Sequence, residues 1–206
     1  MRAEAHELYL KVRRLLEHLE AELERVSIVV VILGAGPCER AKLDKSACDE
    51  CPSDERRRCR FFRRLRLKNM LNQMGVIAIL PDELRMRYPH LEEEAVLAMP
   101  EINMIFIFPE SPGSITEFTQ LIGQPAVANK MRVLIFRRYH PLLRKSERGY
   151  LSHLLSHFMA LYGHVYPYED EHIEGRETEV LPSPDEVVRY ITDYYRAAKY
   201  HAVRES

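Results

Sequence analysis

Five short apolar runs recur along this chain: SIVVVIL at 27–33, VIAIL at 76–80, INMIFIF at 102–108, RVLIF at 132–136 and GHVYPY at 163–168. None shows the regular apolar–polar alternation of a strand with one face in water. A strand without that alternation is covered on both faces, the situation of a parallel sheet. Helix-length segments separate the runs, at roughly 55–74, 90–99, 113–122 and 147–160, and a last one runs from about Asp185 to 203. Strands alternating with helices of ten or more residues are βαβ crossovers. The expectation is therefore an α/β protein with five parallel strands between two helical layers.

The first 26 residues read as one further helix, with Leu8, Leu15, Leu16 and Leu19 near a 3.6-residue period and charges on the opposite positions. No Pro/Gly/Ser-rich linker or composition break divides the 206 residues, so residues 1–206 read as a single domain. A hydrophobic content of 46% supplies a core and excludes intrinsic disorder. Lys and Arg number 30 against 31 Asp and Glu, a net charge of −1, which argues against a chain that coats nucleic acid or an anionic membrane. No stretch approaches the roughly 18–20 apolar residues of a membrane span, and the charged N-terminus lacks a signal-peptide block. The reading is a soluble, cytoplasmic protein without a membrane partner.

Two connections lie where ligands bind in open α/β sheets, at the carboxyl ends of strands. The first is Gly34-Ala35-Gly36-Pro37 after the first strand, where glycines let backbone approach a ligand or simply make a turn. The second is Pro112-Gly113-Ser114-Ile115-Thr116-Glu117 after the third strand, where a helix start offers N–H groups and a positive dipole end to an anion. Glu117 stands three residues after Ser114, so it serves either a ligand or a capping box with Ser114.

This second segment resembles the glycine-rich, glutamate-ending motif of the SLOG superfamily, Rossmann-like domains that include the lysine-decarboxylase-like nucleotide phosphoribohydrolases. It is also similar to the Gly-Ser/Thr-x-x-Glu segment of nucleoside 2-deoxyribosyltransferases. The likeness spans residues 27 to about 136. It implies a Rossmann-like three-layer fold and a nucleotide or nucleoside ligand. It further implies phosphate contacts from Gly34, Ala35, Gly36, Gly113 and Ser114, and a catalytic Glu117 acting on the sugar in hydrolysis or transfer of an N-glycosidic bond. Only Gly113 follows the proline, where the phosphoribohydrolases have a richer glycine run. A non-catalytic nucleotide sensor is the alternative the resemblance implies.

All four cysteines, Cys38, Cys48, Cys51 and Cys59, fall in the insertion 37–60 after the first strand, which has no periodicity from Pro37 to about Asp54. Four thiolates complete a closed tetrahedral zinc site or hold an iron–sulfur cluster, and either would staple an insertion that has little apolar surface. Disulfides or free thiols are the non-metal reading. Arg56 to Lys68 carries eight cations interleaved with Phe61 and Phe62. That is either a nucleic-acid contact surface or a solvated face balanced by nearby acids. His153 and His157, Asp82 and Glu83, and the run Glu92-Glu93-Glu94 read as solvated or packing groups, with Asp82 and Glu83 also able to face the pocket. Tyr190, Tyr194, Tyr195 and Tyr200 read as packing, extended to a homo-oligomer interface.

Overall fold

All five apolar runs are strands, and every pairing between them is parallel. The computed structural model describes residues 2–37, 59–84, 86–143, 149–168 and 181–204. In chain order it contains α1 (Arg2–Glu24), β1 (Val29–Leu33), α2 (Arg60–Gln73), β2 (Ile77–Ile79), α3 (Pro89–Ala98), β3 (Met104–Ile107), α4 (Pro112–Ile122), the short α5 (Pro125–Ala128), β4 (Met131–Phe136), α6 (Tyr150–Tyr162), β5 (Val165–Tyr168) and α7 (Pro184–Arg204).

The strand order is β2-β1-β3-β4-β5. Successive residues of β1 feed opposite cores, which is why the sequence does not alternate. Val30 and Ile32 pack with Leu67 and Leu71 of α2 and Val188 and Ile191 of α7. Val31 and Leu33 pack with Leu97 of α3, Phe118 and Leu121 of α4, and Leu155 and Phe158 of α6. Each such side chain contributes roughly 1.5–3 kcal/mol on burial. The fold is thus the expected Rossmann-like three-layer α/β arrangement, and its strand order reverses between β1 and β3. The chain leaves those two strands toward opposite faces, to α2 and to α4, and so opens a crevice above their carboxyl ends.

Three details refine the sequence reading. The helix after β3 begins at Pro112, one residue earlier than expected. Tyr195 packs against the core, whereas Tyr190 and Tyr194 stand exposed with ring centroids 4.7 Å apart. Of the cysteine-rich stretch 37–60, residues 38–58 lie outside the described residues, and Cys38, Cys48 and Cys51 with them. Among the described residues no helix is long and apolar enough to cross a membrane.

Candidate functional site

The site begins where β1 stops. After Leu33 the chain turns at Gly34 with φ +154°, where an added Cβ would lie 3.3 Å from Cδ of Arg64 and 3.3 Å from Cβ of Phe108. The missing side chain lets Arg64 reach across from α2 and lie over the strand end. Its Nε and Nη2 donate to the Ile32 carbonyl at 3.2 and 2.8 Å, and Nη1 donates to the Ala35 carbonyl at 2.9 Å. Nη2 also meets Oδ2 of Asp82 at 2.8 Å, from the turn after β2. The Arg64 side chain is only 4% exposed. A cation so buried is tolerable because carbonyls and a carboxylate replace its water.

Around this group lies a cleft of about 320 Å³, lined among others by Gly34, Arg64, Asp82, Met86, Glu93 and Glu117. That volume is at the small end of ligand sites, which run from about 300 to 1,000 Å³. Three carboxylates enter from three connections: Asp82 after β2, Glu93 from α3, and Glu117 from α4. Among the described residues the cation in the lining is Arg64, which is already committed to carbonyls and to Asp82.

The first turn of α4 decides what Glu117 is free to do. Ser111 is the N-cap, its Oγ accepting from the Ser114 N–H at 3.2 Å, while the Ser114 Oγ accepts from the Ser111 N–H at 2.9 Å. This reciprocal pair is the capping box, and Pro112 at N1 suits it. The alternative in which Ser114 and Glu117 cap the helix is therefore excluded. Glu117 stands in the second turn, on the same face as buried Ser114, Phe118 and Leu121, and faces the cleft. Burial lifts its carboxyl first. The negative charge of Glu93 and a hydrogen bond between the two side chains lift it further, Asp82 adds to the rise, and Arg64 opposes it. The result is a pKa pushed up to about 8 from the usual 4.5.

The expected site residues divide accordingly. Gly34 and Glu117 line one cleft, the Ala35 carbonyl holds Arg64, and a Cβ on Gly36 would lie 3.8 Å from Asp82 Oδ1. Gly113 and Ser114 are not among the cleft lining: Gly113 opens to space, and the Ser114 hydroxyl and N–H are both used by the cap. Two cleft residues, Glu93 and Arg64, are not singled out as site residues by the sequence, which gives them only as members of an acidic run and of a basic helix. Glu93 is hidden in an acidic run, although it precedes buried Leu97 by one helical turn. Arg64 follows buried Phe61 and precedes buried Leu67 and Leu71 at helical spacing, so a cation on an apolar face was the available signal. No protein-family model matches this chain, and no curated protein does.

The rest of the basic helix is committed to acids within the fold. Arg60 and Arg63 bracket Glu110, at 3.5 and 2.8 Å, and the Glu110 side chain is 1% exposed. Arg63 also donates to the Tyr168 hydroxyl at 2.8 Å. Its guanidinium lies 5.3 Å from the Tyr168 ring centroid and 5.8 Å from those of Phe108 and Phe136. Arg66 pairs with Asp185 at 3.0 Å, and Lys68 with Glu83. The balancing acids thus come from distant connections; Arg56, Arg57 and Arg58 lie outside the described residues. Cys59 caps α2, its Sγ accepting from the Phe62 N–H at 3.4 Å. Among the described residues no group of three or more His, Cys, Asp or Glu is arranged to hold a metal ion.

Proposed function

We propose that the cleft binds a nucleoside or nucleoside phosphate and cleaves its N-glycosidic bond, by hydrolysis or by transfer. The observation that carries this reading is the Glu117–Glu93 pair beside the switch point of the sheet. Glu117, its pKa pushed up to about 8, keeps a proton near neutral pH beside a second carboxyl group, and glycosidic cleavage uses two carboxyl groups in this way.

In the hydrolytic form, the C1′–N bond breaks with its electron pair staying on the base, and Glu117 delivers its proton to that base. The cation left at C1′ is stabilised by the negative charge of Glu93 and Asp82. Water adds to C1′, and its proton passes to the carboxyl pair, which restores protonated Glu117. One water is consumed, and free base and free sugar are the products. Arg64 is a positioning residue here: it fixes Asp82 and the end of β1 and does not touch substrate. Because its guanidinium is committed, the sugar and base are recognised in the cleft mainly by hydrogen bonds to carboxyl groups.

The test is release of free base from a panel of nucleosides and nucleoside 5′-monophosphates, followed by chromatography. The expectation is turnover by the wild-type chain and a loss of at least about 100-fold in Glu117→Gln, with folding retained. Binding of the same compounds without any base release would replace catalysis with a sensing role. Neither binding nor release would reject the reading.

A further inference from the structure

We propose that α1 is a self-association element, and that its apolar seam closes against α1 of a second copy of this chain in an antiparallel pair. Tyr9, Leu16 and Leu23 recur every seven residues, and Val12, Leu19 and Val26 repeat the same interval three positions later. This alternating three-and-four spacing is the a/d pattern of a coiled coil, which seats its seam on another helix. Leu8 and Leu15 widen the stripe along one edge.

The two ends of the seam have different surroundings. Val26 packs against the core beneath α2 and α7, and Lys199 of α7 donates to the Ser27 carbonyl at 2.6 Å, which fixes the exit of the helix. Residues 6–18, by contrast, are exposed on every side. Leu8, Tyr9, Val12, Leu15 and Leu16 are each between 48% and 63% exposed. Together they leave on the order of 500 Å² of apolar surface, a size at which an exposed patch marks an interface. In proteins a helix draws most of its stability from packing its apolar face. Two copies meeting on this face would bury about 1,000 Å², enough for a specific pair.

Charge selects the occupant and its direction. Residues 2–24 hold four Lys or Arg against six Glu, a net charge of −2, which opposes an anionic membrane. With Leu16 laid opposite Leu19 of a second antiparallel copy, Val12 reaches that copy's Leu23, while Val26 stays with the core of its own chain. The same register sets Arg13 opposite Glu20 of the second copy, and the twofold axis repeats the pair. In a parallel pair, Glu20 would instead meet Leu15.

Light scattering and sedimentation of the full chain test this. The wild-type chain is expected at twice its 24.2 kDa mass. Val12→Glu and Leu16→Glu are expected to be monomeric with unchanged far-ultraviolet circular dichroism. Arg13→Glu is expected to raise the dissociation constant by about tenfold, and Arg13→Glu combined with Glu20→Arg to restore it. A wild-type monomer at about 100 μM would overturn the proposal, as would a dimer that survives Leu16→Glu. A swap that fails to restore pairing would overturn the antiparallel arrangement. A monomer that floats with phosphatidylglycerol vesicles would transfer the seam to a lipid surface.

Discussion

Arg64 and Asp82 meet at 2.8 Å across the mouth of the cleft, and the contact ties the turn after β2 to the end of β1. The same guanidinium, carried on α2, holds the Ile32 and Ala35 carbonyls, so the end of β1 and the turn after β2 share one cation.

Removing that cation should be costly. Arg64→Met is expected to lose about 3–5 kcal/mol of stability, because it strands two carbonyls and a carboxylate that the arginine now serves. Asp82→Asn keeps a hydrogen-bonding group in place and should cost about 1–2 kcal/mol. Urea titrations of the two variants check the order; equal losses would show that the carbonyl contacts contribute little.

Gly34→Ala probes the turn itself. The substitution forces a side chain onto a backbone at φ +154° and sets its Cβ 3.3 Å from both Arg64 and Phe108. A loss of about 1–3 kcal/mol is expected, with weaker ligand binding because Arg64 must move. Calorimetric unfolding together with ligand titration would reveal both effects.

Glu117 makes stability fall with rising pH. Its carboxyl keeps a proton in the folded chain up to about pH 8 but loses it near 4.5 when unfolded. Between those values the folded state binds more protons. The stabilising contribution is therefore complete below 4.5, declines as pH rises and is gone above 8. Thermal unfolding should show this slope in the wild type and a flatter one in Glu117→Gln. Glu93→Gln removes a charge and a shared proton that hold the value up, so the alkaline limb of base release should move to lower pH.

Cys59 sits at the N-cap of α2, four residues after Glu55 and five before Arg64. A metal centre built on Cys38, Cys48, Cys51 and Cys59 would therefore be anchored to the first turn of the helix that carries Arg64. The expected content is one zinc or one iron–sulfur centre per chain, measured by elemental analysis with a visible absorption spectrum. Chelation should then lower the melting temperature. Protein free of both metals, with its thiols paired as disulfides, would contradict it.

Much of the scaffold was readable because burial on both faces leaves a strong mark: Val30, Val31, Ile32 and Leu33 are all apolar although they point in opposite directions. Local competition was harder to read. Two overlapping serine frames, Ser111 to Ser114 and Ser114 to Glu117, both suit a cap, and Pro112 at the first helical position favours the earlier one. The cleft needed tertiary information. Sequence spacing can put Arg64 on the inner face of α2, but the Ile32 and Ala35 carbonyls it meets belong to the end of β1 and its turn, 32 and 29 residues earlier. Glu93 differs from Glu92 and Glu94 only in the helical angle that points it toward Glu117.

The central position of β1 also governs how the chain assembles. Val30 is in register with Met104, 74 residues farther along, whereas its partner on the other side, Ala78, is nearer. Closing the longer loop costs more entropy and slows the step that completes it. The raised pKa of Glu117 needs α3 and α4 docked on that completed centre. Proton uptake during refolding at pH 6 to 7 should therefore trail the appearance of helical signal, and would serve as a clock for the last stage of folding.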